Sequence, residues 1–280
     1  MARIVSKRLA ERLGHATVVV ENRGGAGGTL GATHVARAAA DGHVILNASS
    51  GNLTSAPQII GAAYDPFKDF VPVGFLGHVR FVLAAHPGLG VRTLPELIAY
   101  AKQHPGKINY GTAGNGTGGH IAGEYLKLRT GIDIVHVPYR GSALALQDAV
   151  AGHVQFVLDP LAAAYVKSGA LRGLAFTGAS RSPDLPGVPA IDQAGVPRWE
   201  ATNFFVAVVR ATTPPEIVQT LHRAFLQIAH EPAVQAELQA LGVEIKPLSQ
   251  AEIVRLLLTE TAVNNRVIEA ARLPLAKPLA

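Results

Sequence analysis

The sequence predicts an α/β fold of two lobes with a cleft between them and two chain crossovers, and three observations carry that prediction. Short β-branched runs alternate with Ala- and Leu-rich helical stretches along all 280 residues, the pattern of strands covered by helices. A second strand–helix series begins after the stop His104-Pro105-Gly106. The chain then returns through the apolar run Thr202–Val209. These joints place a first lobe over 1–103, a second over 104–203, and a returning part of the first lobe with C-terminal helices over 204–280.

Composition narrows the function classes. The absence of Cys removes disulfides, thiolate metal sites and cysteine nucleophiles. No apolar run reaches the ~18 residues of a membrane helix. The formal charge of +5 invites a nucleic-acid reading, but Lys and Arg neither cluster nor interleave with aromatics, which argues against one.

The elements follow in order. Val5, Leu9 and Leu13 lie on one face of an opening helix, the i, i+4, i+8 spacing of a buried stripe. Thr17-Val18-Val19-Val20 reads as a strand, Asn22–Gly28 as a glycine-rich loop with Arg23 as an anion partner, and Thr29–Ala40 as a helix. His43–Leu46 reads as a strand opening into the polar loop Asn47–Asn52, and further strands fall at Val71–Leu76 and Phe81–Ala85. Thr93-Leu94-Pro95-Glu96 is a capping box that starts a helix to about Gln103.

In the second series, Ile108–Tyr110 is a strand, Thr112–Thr117 a loop and Gly118–Arg129 a helix. Ile132–Val137 is a strand, Ser142 caps a helix, and Val154–Leu158 is a strand ending at Asp159. Leu171–Phe176 is a strand, and Ser182–Pro189 is a long Pro-rich loop. Helices are expected at Pro214–Ala229 and Pro232–Leu241, and Ser249-Gln250-Ala251-Glu252 caps a last one.

The motif with most chemistry is Gly114-Asn115-Gly116-Thr117-Gly118-Gly119, a G-x-G-x-x-G between strand and helix. Asp133 lies 19 residues beyond the first glycine, as in dinucleotide-binding folds. It sits at the start of its strand, however, whereas the ribose-binding acid belongs at the far end. What remains is a glycine-rich turn that exposes helix N-terminal amides to an anion, with Thr112, Asn115, Thr117 and His120 adding donors. Ser49, Ser50 and Asn52 follow a strand's carboxyl end, where open α/β sheets bind ligands. Tyr139-Arg140-Gly141-Ser142 offers a phenol, a guanidinium and a helix cap. Asp159 can accept from a ligand or cap the following helix. No catalytic triad pattern, metal-binding His pair or phosphate loop is recognisable, so His120 and His136 read as structural residues, and neither cofactor nor metal is expected.

Val19-Val20-Glu21-Asn22-Arg23-Gly24-Gly25-Ala26-Gly27-Gly28 resembles the V-E-N-R-P-G-A-G-G signature of the Bug/TctC proteins, extracytoplasmic solute receptors of tripartite tricarboxylate transporters. Tyr64-Asp65-Pro66-Phe67-Lys68-Asp69-Phe70 and His136-Val137-Pro138-Tyr139-Arg140-Gly141-Ser142 extend the likeness across the chain, with Gly24 standing where Pro is usual. The resemblance implies a type II periplasmic binding-protein fold holding a small organic carboxylate by backbone amides, hydroxyls and ordered waters. Carried over by position, the ligand-binding residues are Thr112, Ala113, Gly114, Asn115, Gly116, Thr117 and His120, with Ser49, Ser50, Tyr139, Gly141, Asp159 and Asn203.

It further implies no catalysis, a periplasmic location, membrane transporter subunits as partners, no nucleic acid, and a monomer. The family carries a signal peptide, a first strand and a P-x-G-G-type loop ahead of the opening helix. Here Met1 stands where that helix is under way, so the resemblance implies either an upstream piece ahead of a wrongly placed start or a genuine truncation. A cytoplasmic ligand-sensing module of the same fold and an NAD-linked enzyme are the alternatives.

Overall fold

The computed structural model describes residues 1–178 and 185–276. The first part of the loop expected at Ser182–Pro189 lies outside them. In chain order the elements are α1 (Ala2–Arg12), α2 (Thr29–Ala36), β1 (Leu46–Ser49), α3 (Ser50–Leu53), α4 (Ala56–Ile60), β2 (Phe70–Val79), β3 (Val82–Ala85) and α5 (Leu94–Gln103). Then come β4 (Asn109–Thr112), α6 (Gly118–Thr130), β5 (Val135–Pro138), α7 (Ser142–Val150), β6 (Phe156–Asp159), α8 (Ala162–Lys167) and β7 (Arg172–Phe176). The last are β8 (Phe204–Arg210), α9 (Pro215–His230), α10 (Pro232–Gln239), β9 (Val243–Glu244) and α11 (Gln250–Ala270).

The chain forms two compact units. One comprises Met1–Val79, Asn203–Ala262 and a short stretch from Leu275; the other comprises Arg80–Thr202 and Val263–Pro274. The first crossing therefore falls at Val79–Arg80, ahead of the expected 104, because β3 pairs with β6 and β7 and draws α5 with it into the second unit. The second crossing is at Thr202–Asn203. Within the expected returning segment 204–280, the C-terminal helix α11 passes into the second unit at Val263.

The first unit's sheet has the order β1-β8-β2-β9 with every neighbouring pair antiparallel. β8 is apolar at nearly every position because both of its faces are covered. Phe204, Val206 and Val208 pack with Ala32, Val35, Leu53, Phe75 and Ile253. Ala207 and Val209 pack with Val218, Leu221, Phe225 and Ile228 of α9, a cluster that Val5 and Leu9 of α1 complete. The expected strand Thr17–Val20 is in no strand and has no ladder partner among the described residues, and Val19 is 80% exposed. A β-branched run without a ladder partner leaves its amides to water and forms no sheet. The strand expected at His43–Leu46 is shifted to Leu46–Ser49, where each residue faces one of β8, and the polar segment after it folds into α3.

The second unit's sheet has the order β5-β4-β6-β3-β7. β5, β4 and β6 are parallel, while β3 runs antiparallel between β6 and β7. Val82, Ala84, Leu146, Val157, Leu171 and Phe176 share its core. In the parallel register Thr112 lies opposite Pro138, and Gly111 opposite Val157. The loops after β4, β5 and β6 consequently leave from the same end of the sheet, which is where parallel sheets bind ligands.

Candidate functional site

The loop between β4 and α6 is built by its glycines. Gly114 and Gly116 have φ of 136° and 71°, conformations that a side chain disfavours. Thr117 occupies the N-cap of α6, but its hydroxyl turns back and donates to the Gly114 carbonyl at 2.7 Å. No side chain caps the helix. The first-turn amides of Gly118, Gly119 and His120 therefore point out of a 13-residue helix at its positive end. Gly119 also lets α6 lie against β6: a Cβ there would sit 2.7 Å from the Leu158 carbonyl oxygen.

Two histidines support the loop from beneath. The Gly116 N–H donates to His120 Nδ1 at 3.2 Å. Thr112 Oγ1 accepts from the Gly114 N–H at 3.2 Å and is hydrogen-bonded to His136 Nε2 at 2.7 Å. The two imidazoles stack 4.1 Å apart at 18°. Burial lowers His120 to about 4. Burial, and then the charges of His120 and Lys127, lower His136 to about 3. Both rings are uncharged at neutral pH. Below them the Tyr110 hydroxyl donates to Glu124 at 2.8 Å, and Lys127 Nζ lies 2.9 Å from the same buried carboxylate.

The loops after β5 and β6 are tied to this one. The Tyr139 N–H donates to the Thr112 carbonyl at 3.0 Å. The Tyr139 hydroxyl donates to Asp148 Oδ2 at 2.6 Å, and burial together with that carboxylate pushes it up to about 12. Tyr139 thus supports the loop through its backbone, with its phenol proton committed to Asp148. Gly141, at φ 130°, is the N-cap of α7. The cap expected at Ser142 therefore falls one residue earlier, on a glycine. Asp159 is 3% exposed and accepts the Leu161 N–H at 2.8 Å. Burial raises its pKa.

The expected residues divide between the units. Thr112, Ala113, Gly114, Asn115, Gly116, Thr117, His120, Tyr139, Gly141 and Asp159 belong to the second, at the carboxyl ends of its parallel strands. Among these, Asn115 is exposed and Ala113 and Thr117 are half-buried, while Thr112 is fully enclosed. Thr112 thus shapes the loop from within. Ser49, Ser50 and Asn203 belong to the first unit. There the Ser50 hydroxyl donates to Asn203 Oδ1 at 3.5 Å, and Asn52 accepts the Ser49 N–H at 2.9 Å. Asn52 also donates to the Gly27 carbonyl, which pins the Asn22–Gly28 loop. Arg23, read from the sequence as an anion partner, is exposed and bonded to Glu21 at 2.9 Å.

His136, Tyr110, Glu124 and Lys127 were not legible as parts of the site. His136 faces Tyr110 in the β4–β5 register, two residues before the strand end, and only pairing reveals that neighbour. Asp133 lies ahead of β5, away from its carboxyl end. A groove of about 520 Å³ lined by Val166, Leu171, Arg172, Leu185 and Val188 shares no residue with these loops.

Residues 1–273 match the family model described as tripartite tricarboxylate transporter family receptor. BugT of Bordetella pertussis is 35% identical over 250 residues, covering 86% of this chain and 75% of its own. An R. palustris protein solved with adipate superposes with a TM-score of 0.91 at 32% identity, over 98% of this chain and 92% of that one. MatC from Rhodopseudomonas palustris with bound malate gives 0.88 at 28%, over 95% and 92%. The periplasmic binding protein BugD gives 0.89 at 28%, over 98% and 92%. The likeness extends over almost the whole chain and carries the two-lobed binding-protein fold.

Proposed function

The chain belongs to the tripartite tricarboxylate transporter receptor family, and we propose that it captures a small organic carboxylate and hands it to membrane transporter subunits. The observation that carries this reading is the uncapped first turn of α6 behind the Gly114–Thr117 loop. Its amides make a donor set suited to a carboxylate. Hydrogen bonds to a charged group are worth about 1.5–3 kcal/mol each, so a few preorganised donors suffice without a cationic clamp. The Thr112–His120 segment contains no Lys or Arg.

Relatives solved with adipate and malate support the same ligand class. The role is binding and release with no bond made or broken, by a monomer in the periplasm. Asn115 and Thr117, at the accessible rim of the loop, supply polar contacts to the ligand, and Ser49, Ser50 and Asn203 form the first unit's donor set.

Calorimetry and thermal shift with a panel of mono-, di- and tricarboxylates, led by adipate and malate, test the proposal. Saturable binding of one class, with a rise in melting temperature, is the expected result. A panel in which no carboxylate binds overturns it.

A further inference from the structure

We infer that His120 and His136 are positioning residues, a stacked pair of imidazoles that holds the Gly114–Thr117 turn through its Gly114 and Gly116 amides and so sets the open first-turn amides of α6 where a carboxylate can reach them. The role in binding rests on the carboxylate reading; the holding of the amides does not.

Each ring holds one amide by its own route. His120 is the third residue of α6, and its Nδ1 accepts the Gly116 N–H at 3.2 Å, reaching back across the helix start. An accepting Nδ1 places the ring proton on Nε2. His136 acts through Thr112, whose Oγ1 is 2.7 Å from Nε2 and accepts the Gly114 N–H at 3.2 Å. Thr112 is fully buried, so this oxygen has no water to turn to. Thr112 Oγ1 also donates to the Gly114 carbonyl at 3.3 Å, and a misplaced His136 leaves this hydroxyl free to turn and loosens its hold on Gly114.

The stack couples the two routes. With centroids 4.1 Å apart at 18°, neither ring can tilt without moving the other. Two adjacent imidazolium ions would repel at that distance, and a protonated His120 could not accept from Gly116. The surroundings hold the pair neutral. The charge of Lys127 of α6 disfavours protonation of either ring, whereas Glu124 of α6 favours it on His120 but is itself bonded to Lys127 and the Tyr110 hydroxyl of β4. The Tyr110 ring lies 5.0 Å from His136 on the face of β4. The Asp159 carboxylate at the end of β6 accepts the Leu161 N–H. Burial thus favours rings that accept and donate without charge.

Substitutions that keep or delete one ring nitrogen separate positioning from packing. Asn places an amide oxygen near Nδ1, and Gln places one near Nε2. His120→Asn and His136→Gln therefore keep the hydrogen bonds, whereas His120→Leu and His136→Leu keep bulk without them. In glycine-labelled protein the Gly116 amide resonance is expected to move in His120→Leu and return in His120→Asn. The Gly114 resonance is expected to do the same in His136→Leu and His136→Gln. Imidazole nitrogen spectra of the parent are expected to show His120 as the Nε2–H tautomer, with neither ring titrating between about pH 5 and 8.

If Leu and the amide variants behave alike, or if either ring titrates near its ordinary value, the inference is overturned. Titration with adipate and malate adds the functional arm. A ligand that binds the parent should lose at least about tenfold in affinity in the Leu variants, about 1.4 kcal/mol, and regain most of it in the amide variants. Unchanged affinity in the Leu variants overturns the role in binding. If neither acid binds the parent, the carboxylate reading is what suffers, and the resonances still decide whether the pair holds the loop.

Discussion

A methyl group added at Gly119 would stand 2.7 Å from the Leu158 carbonyl and 3.5 Å from Thr112 Cβ. Neither neighbour is the free end of a flexible side chain, so α6 would have to lift from β6. Gly119→Ala is expected to cost about 1–3 kcal/mol by overpacking, read as a lower urea midpoint with an unchanged slope. A parent-like midpoint would show that α6 has slack there. The sequence already marked this glycine run as an anion-binding turn, but it could not separate the glycines. Gly114 and Gly116 serve backbone conformation, whereas Gly119 serves the approach of two elements.

The histidines give a second prediction at this scale. In the unfolded chain both titrate near the ordinary 6.5; in the folded one they lie at about 4 and about 3. Between those limits the unfolded chain binds more protons, so stability is full above about 6.5 and declines as the pH falls toward 4 and then 3. Each ring contributes a slope of up to about 1.4 kcal/mol per pH unit. Asp159, raised by burial, has the opposite sign, so the comparison between parent and variant carries the test. Urea unfolding from pH 7 to 5 should show a shallower dependence in His136→Gln than in the parent. Equal slopes would mean that His136 is not held neutral by the fold.

At the scale of elements, the parts legible in sequence are those whose signals are local. The capping box of α5 is one. The Thr93 hydroxyl accepts the Glu96 N–H at 3.3 Å, and Glu96 reaches back to the Arg92 N–H at 2.7 Å. Thr93→Ala should lower stability by about 1 kcal/mol, with Thr93→Ser retaining most of it, as measured by thermal unfolding. A loss shared equally by Ser and Ala would assign the effect to the methyl group and not to the cap. Strand pairing is not local, and there the reading slipped. Thr17–Val20 has the right residues for a strand and no partner among the described ones. Leu46–Ser49 contains Asn and Ser, and becomes a strand because Phe205–Val208 lies beside it. His136 was passed over for the same reason, since its partners Thr112 and Tyr110 are 24 and 26 residues away in sequence and adjacent only through the parallel register.

For the whole molecule, the placement of the first crossing depends on a pairing choice. Phe81–Ala85 reads correctly as a strand from its composition, but nothing in it says which sheet it joins. Pairing with β6 and β7 commits it, and α5 after it, to the second unit. Net charge acts at the same scale. The chain carries +5, while the Thr112–His120 loop has no Lys or Arg and its two supporting rings are neutral. Charge therefore assists the approach of an anion more than its retention. The Debye length falls from about 30 Å at 0.01 M salt to about 8 Å at 0.15 M, which screens the field of the whole surface but little affects short bonds to buried amides. With adipate or malate as the probe, stopped-flow measurements should show association slowing severalfold over that range while dissociation stays nearly constant. A dissociation rate that rises steeply with salt would instead place a cation directly on the ligand and displace the amide row as its main anchor.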